Sequence, residues 1–216
     1  MIGIFGGSFD PIHFGHIKSA LTLIKHFDFE QIRFVPCQLS PLKERVFANA
    51  EHRWQMLNLV CSSQPKLIAD DRELKREGRS YTIDSLIELR EEFSGDQSIV
   101  LILGMDAYLE FCKWYRYEEI LSHCHLLLMQ RPGYSLSDPG LSSESVCEKE
   151  YFELNKTNDR KLLATAPNGK IFLSELEKID LSSTLIRETI AQGRQPKYML
   201  PGNVWNYVRR NKLYQK

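Results

Sequence analysis

Gly6-Gly7-Ser8-Phe9-Asp10-Pro11-Ile12-His13-Phe14-Gly15-His16 follows the apolar run Ile2–Phe5 and leads into a helical pattern over Gly15–Phe27. A buried strand, a glycine turn and a helix make up the opening of an α/β sheet, where ligands collect between strand ends and helix starts. Two adjacent glycines let the backbone approach a phosphate closely with amide N–H groups turned outward. The helix beginning near Gly15 adds unpaired N–H groups and a partial positive charge. The glycine spacing is neither that of a Walker A loop nor that of a GxGxxG dinucleotide turn.

His13 and His16 stand three residues apart, which brings both rings near one face of a first helical turn. Spacing alone leaves three readings: a metal pair still lacking a third ligand, two rings capping a turn, or two donors to polyphosphate oxygens. The glycine turn beside them favours the third. Gly15 between them is expected to leave room for a ligand.

Outward from this turn, apolar runs alternate with helical patterns. Ile2–Phe5, Ile32–Val35, Lys66–Ala69, Ile99–Leu103, Leu126–Met129 and Ile171–Leu173 read as buried strands. Gly15–Phe27, Ala50–Ser62, Ile83–Phe93 and Tyr117–Leu121 read as helices. Strands separated by helix-length connections predict an α/β protein with a parallel sheet and helices on both faces. Residues 133–149, rich in Ser, Gly, Asp and Glu, read as a loop or insert. From Ser182 the pattern changes to two helices separated by Gly193 and Pro201. The expected organisation is a single domain over 1–216, with 182–216 as its C-terminal helical part.

Composition narrows the class. Lys+Arg and Asp+Glu are each 28, so the chain lacks the basic excess of a protein that binds nucleic acid by counting phosphates. The longest aliphatic stretch in the middle, Ile99–Leu103, is far short of a bilayer span, so no membrane association is expected. Met1-Ile2-Gly3-Ile4-Phe5 lacks a basic start and runs into glycines, which predicts no secretory signal and a cytoplasmic location. Cysteines 37, 61, 112, 124 and 147 are odd in number and include no CxxC pair, against both a disulfide framework and a zinc ribbon. His123-Cys124-His125 reads as a strand opening rather than a metal site, because neighbours in extended chain face opposite ways. The mixed-sign run Asp70–Glu77 reads as a solvated segment. Met56, Leu57 and Val60 carry helical core spacing. The sequence leaves a homo-oligomer open.

Ser182-Ser183-Thr184-Leu185-Ile186-Arg187 places hydroxyls at a helix start, where they can cap the helix and meet an anion, with Arg187 one turn on. With this stretch, GGSFDPIHFGH resembles the signature of the nucleotidyltransferase superfamily, which joins a Gly-rich turn to HxGH and pairs it with an SSTxIR helix start. Ser80-Tyr81-Thr82-Ile83-Asp84-Ser85-Leu86, Leu103-Gly104-Met105-Asp106, Trp114-Tyr115, Pro201-Gly202-Asn203-Val204 and Lys212-Leu213-Tyr214 extend the likeness over nearly the whole chain. In order and spacing they resemble the bacterial nicotinate-nucleotide adenylyltransferases.

That resemblance implies a Rossmann-like nucleotidyltransferase fold and transfer of the adenylyl group of ATP to nicotinate mononucleotide. The products would be deamido-NAD and pyrophosphate, a step of NAD biosynthesis. It implies catalytic roles for His16, at the α-phosphate, and for His13, Arg187 and Lys43. Gly6, Gly7, Ser8 and Phe9 would line the nucleotide, Ser183, Thr184 and Arg187 would hold the β- and γ-phosphates, and Gly104 and Asp106 would meet the adenosine. Trp114 would stack on the pyridine ring, with Thr82, the backbone around Tyr115 and Gln38 completing the acceptor site. Mg²⁺ would arrive with ATP, since no carboxylate cluster is visible to hold it; no protein-bound metal is expected.

One stretch departs from the family. Where it often reads Asn-Asn-Val-Pro-Pro-His-Lys/Arg, this chain has Cys37-Gln38-Leu39-Ser40-Pro41-Leu42-Lys43, keeping the base but not the His or the Asn pair. Three other functions stand beside the main one at this point: a nucleotidyltransferase with another acceptor (nicotinamide mononucleotide or phosphopantetheine), a non-catalytic nucleotide sensor, and a tRNA-handling protein. The presence of His13, His16, Lys43 and Arg187 counts against the sensor, and the neutral charge counts against tRNA.

Overall fold

The computed structural model describes residues 1–39, 46–93, 95–130, 133–134, 146–177, 179 and 181–215. Six strands form one parallel sheet in the order β3-β2-β1-β4-β5-β6. They are β1 Ile2–Gly7, β2 Gln31–Pro36, β3 Leu67–Ala69, β4 Ile99–Gly104, β5 His125–Gln130 and β6 Ile171–Glu177. All six are the strands expected from the apolar runs, each within four residues at its ends. Helix-length connections between parallel neighbours explain why the runs are continuous rather than alternating.

By internal packing the chain forms two compact units. The first comprises Met1–Gly6, Asp28–Glu30 and Tyr81–Lys178; the second comprises Gly7–Phe27, Gln31–Ser80 and Ile179–Lys216.

In the first unit, β4 pairs with β1 through Ile2↔Ile99 and with β5 through Val100↔His125, and every residue of β4 is buried. Helix α3, Thr82–Glu92, buries Ile83, Leu86 and Leu89, a stripe at helical spacing. After β4 come α4 (Met105–Tyr108), a 3-10 turn (Phe111–Lys113) and α5 (Tyr117–His123). Beyond β5 come α6 (Val146–Asn155) and α7 (Leu162–Thr165). Helix α6 takes the last four residues of the stretch read as a loop; residues 135–145 of that stretch lie outside the described residues. Its one buried residue is Glu148, so it presents no buried apolar stripe for a helical period to show.

Of the expected strand opening His123-Cys124-His125, His125 alone starts β5, while His123 ends α5 and Cys124 follows as its C-cap; the His125 ring is wholly buried. The Lys170 N–H donates to Nδ1 at 3.0 Å and Nε2 lies 2.9 Å from the Ala166 carbonyl. These bonds place the proton on Nε2, and burial holds the ring below the ordinary histidine pKa.

In the second unit, α1 (Phe14–His26) follows the glycine turn and α2 (Ala50–Cys61) follows β2. Asn49 caps α2 by accepting from the His52 N–H at 2.9 Å. Two closing helices, α8 (Ser183–Ala191) and α9 (Gly202–Arg210), sit where the sequence pattern put them. Asn203 Nδ2 of α9 donates to the Leu59 carbonyl of α2 at 2.6 Å. The run after Asp70 is less solvated than its mixed charge suggests. Burial opposes ionisation of Asp70, but Arg72 at 2.8 Å and Arg33 at 3.0 Å outweigh it and hold the carboxyl below the usual range.

Candidate active site

From Gly7 onward the glycine turn belongs to the second unit and is shaped by its own side chains. Phe9 is buried and has φ 46°, a left-handed backbone that an aromatic residue rarely adopts. Its ring meets Phe34 edge-on at 5.3 Å and His16 at 5.0 Å. A Cβ on Gly7 would lie 3.2 Å from this ring, so glycine is what lets Phe9 fold back over the turn.

His13 caps the start of α1 in extended conformation, and its ring stacks on His16 with centroids 3.7 Å apart and planes 24° apart. His13 is buried and His16 half-buried. The space expected above Gly15 for a ligand is taken by the protein. A Cβ there would lie 2.8 Å from two atoms of the His13 ring, so the missing side chain makes room for the stacked histidines.

Two residues to which the sequence reading gave no role hold this turn. Arg53 is fully buried on the stripe that continues through Met56, Leu57 and Val60. It donates to four carbonyls: Ala48 at 3.2 Å, Ser8 at 3.0 Å, Cys37 at 2.6 Å and Gln38 at 3.3 Å. A cation at a core position of an apolar stripe was the signal that could have found it. Asp10, also buried, accepts from the Phe47 N–H at 2.6 Å, the Ala48 N–H at 3.1 Å and the Tyr214 hydroxyl at 2.7 Å.

The SSTLIR helix start meets the glycine turn through two bonds. Ser183 Oγ donates to the Pro11 carbonyl at 3.0 Å, and Arg187 Nη1 donates to the Asp10 carbonyl at 2.7 Å. Ser182, not Ser183, caps α8, accepting from the Leu185 N–H at 3.2 Å. The Ser183 hydroxyl proton is thereby committed within the protein, so this residue would serve an anion through its backbone N–H. Thr184 Oγ1 accepts from Arg187 Nη2 at 3.1 Å and keeps its own proton to give. The Arg187 guanidinium also lies 4.2 Å from the ring centre of Phe47. Gln38 is held by its backbone, whose N–H donates to Ser80 Oγ at 2.9 Å. Lys43 lies outside the described residues.

The remaining sequence-selected residues belong to the first unit. Gly104 ends β4 and caps α4, whose first turn carries Asp106. Thr82 is the first residue of α3. Trp114 closes the 3-10 turn, half-buried, its ring 5.5 Å from that of Phe111. Its indole Nε1 is enclosed with no hydrogen-bond partner among the described residues. Tyr115 is 55% exposed and its ring lies 4.7 Å from Tyr81. Phe111 is fully buried and also meets Tyr108, Tyr117 and Tyr151.

Beside this aromatic cluster the structure corrects the cysteine reading. Cys112 and Cys147 are joined by a disulfide, in which Cys37, Cys61 and Cys124 take no part. The pair spans 35 residues with no motif spacing, so arithmetic on the sequence had no way to find it. The buried Glu148 supports the same turn, its Oε1 accepting from the Cys112 N–H at 3.1 Å. Among the described residues no group of three or more His, Cys, Asp or Glu side chains could hold a metal ion, and no helix is long and apolar enough to cross a membrane.

Residues 4–189 match the Cytidylyltransferase-like family. The chain is 36% identical over 217 residues to "Probable nicotinate-nucleotide adenylyltransferase" of Methylococcus capsulatus (strain ATCC 33009 / NCIMB 11132 / Bath), covering 100% of both. It is 35% identical to the protein of the same name from Marinomonas sp. (strain MWYL1), covering 99% of this chain and 94% of that one. Among solved structures, a Plasmodium falciparum nicotinic acid mononucleotide adenylyltransferase complexed with NaAD superposes with a TM-score of 0.70. At 18% identity, with 99% of this chain and 96% of that one covered, this likeness establishes a common fold.

Proposed function

The chain belongs to the cytidylyltransferase-like family and, within it, to the nicotinate-nucleotide adenylyltransferases; from that premise we propose which of its residues carry the reaction and how. The reaction transfers the adenylyl group of ATP to nicotinate mononucleotide and releases pyrophosphate, with residues 1–216 working as one catalytic domain.

The attacking group is the phosphate of the mononucleotide, whose second pKa of about 6 leaves it largely ionised at neutral pH. It needs no general base and no covalent intermediate on the enzyme. The barrier lies in bringing an anion onto the α-phosphate of a polyanion and in stabilising charge on the departing pyrophosphate. Positioning and fixed donors supply most of such catalysis.

His16 donates to the α-phosphate as charge builds there, and His13, stacked on it, holds the phosphates. Gly6, Gly7, Ser8 and Phe9 offer backbone to the nucleotide. The backbone N–H groups of Ser183 and Thr184, the Thr184 hydroxyl and the open edge of Arg187 hold the β- and γ-phosphates, and Lys43 adds a further cation. Mg²⁺ enters as part of the MgATP substrate. Gly104 and Asp106 take the adenosine. Trp114 stacks on the pyridine ring, and Thr82, the Tyr115 backbone and Gln38 complete the acceptor site. A carboxylate on that ring calls for N–H donors, which the start of α3 supplies.

The observation that carries this reading is the joining of the two motifs, Arg187 to Asp10 across 177 residues of sequence and Ser183 to Pro11 across 172. It is tested by pyrophosphate release from MgATP with nicotinate mononucleotide and nicotinamide mononucleotide supplied in parallel. Release with the acid form, and far less with the amide, is the expected result. If neither acceptor works while MgATP binds, the acceptor and the transfer chemistry are both wrong.

A further inference from the structure

Asp10 is buried, and its carboxylate accepts from three donors among the described residues, one of them a side chain. That donor is the Tyr214 hydroxyl, at 2.7 Å from Oδ1. The other two are the backbone N–H groups of Phe47 and Ala48. The carbonyl of the same residue takes Arg187 Nη1, so Asp10 joins the phosphate-facing guanidinium to the last turn of the chain.

The closing segment is placed against its own preferences. Lys212 and Tyr214 have φ of 52° and 63°, left-handed values that residues bearing a Cβ avoid. Such a conformation persists where surrounding contacts over-determine it. Here Leu213 N–H donates to the Val208 carbonyl at 3.0 Å and the phenol is fixed on Asp10. Burial first, and then the Asp10 charge, push the Tyr214 pKa upward, so the phenol keeps its proton and remains a donor throughout the working pH range.

We propose that Tyr214 is a positioning residue for MgATP: by donating to Asp10 it fixes the carbonyl that aims Arg187 and the turn that carries His13 and His16. Tyr214 does not touch the reacting atoms; it acts through Asp10. This rests on the adenylyl-transfer reading for its chemistry, but the MgATP titration that decides it does not need the acceptor.

The test compares Y214F, D10N and the double variant with the parent chain by calorimetric titration of MgATP, by kcat and both KM values, and by thermal unfolding. Removing the hydroxyl leaves a buried carboxylate oxygen one donor short, and the expected loss is about tenfold in MgATP affinity. KM for nicotinate mononucleotide should stay within about twofold, and the double variant should bind MgATP no worse than D10N alone, because both changes cut one path. MgATP affinity within about twofold of the parent in Y214F, or losses that multiply in the double variant, overturns the proposal. Failure of Y214F to fold overturns it too, since Tyr214 would then be structural. A parent chain that binds MgATP but releases no pyrophosphate strikes the adenylyl-transfer reading, while the titrations still decide the role of Tyr214.

Discussion

His13 and His16 stand on a turn held by directed bonds from Arg53, Ser183 and Arg187 and by those that Asp10 accepts, whereas Trp114 stands on a turn held by ring packing, one disulfide and one carboxylate. The first arrangement, in the second unit, is a network in which nearly every contact specifies both distance and direction. The second, in the first unit, surrounds Phe111 with aromatic rings at 5.5–5.9 Å, contacts that fill space and tolerate small rotations. The proposed chemistry accounts for the division. Stabilising a phosphorus centre as charge moves demands donors fixed to fractions of an ångström. Seating a flat heterocycle demands area and one correctly faced ring. Removing a donor that would meet the reacting phosphate should therefore slow the reaction, and disturbing the aromatic region should loosen the acceptor.

The largest effect should come from His16. In H16A, kcat is expected to fall at least 10²- to 10³-fold, the size of loss seen when one preorganised donor is removed. Affinity for MgATP should drop by no more than a few-fold, because His13, Arg187 and the turn backbone remain. Pyrophosphate release, MgATP titration and unfolding temperature together read this. Near-normal kcat in H16A would erase the contrast between the two regions.

What was legible in the sequence follows the same division. The six strands announced themselves as continuous apolar runs because helices cover them, and the glycine turn, His13, His16 and Arg187 are local patterns whose residue types carry their chemistry. Arg53 went unread, and Asp10 and Tyr214, quoted only as parts of motifs, were given no role, because what they do depends on partners distant in sequence, such as the bond between Asp10 and Tyr214 over 204 residues. Gly15 was read as space for a ligand, when its space belongs to His13. A glycine reports that a side chain is unwelcome and does not report what occupies the gap. In the first unit, Trp114 was picked out by resemblance, and nothing in its neighbours' spacing announced Cys147 or Glu148 as the supports of its turn. Packing partners brought together by tertiary structure leave no period in the chain.

Trp114 should give the next largest effect, and of the other kind. W114A is expected to raise KM for nicotinate mononucleotide by about tenfold, the value of one lost aromatic stacking partner, and to leave KM for ATP within about twofold. Steady-state kinetics with each substrate varied in turn reads this split. Equal rises for both substrates, or a chain that no longer folds, would mean that the indole serves Phe111 rather than the pyridine ring.

The smallest effect sharpens the comparison furthest, because it asks how much a non-directional site needs its fastening. Reducing the Cys112–Cys147 disulfide removes one of two supports of the turn that carries Trp114; the Cys112 N–H remains bonded to Glu148 at 3.1 Å. Both sulfurs belong to half-buried residues, within reach of a small dithiol. Because one support persists and the rings stay packed, reduction should raise KM for nicotinate mononucleotide by only roughly two- to threefold, with kcat and KM for ATP unchanged. C112S should reproduce the reduced protein and no longer respond to reductant, which separates the bridge from the three cysteines outside it. A change in kcat or in KM for ATP on reduction would instead mean that fastening in the aromatic region governs the phosphate chemistry, and the two regions could no longer be treated as built for separate tasks.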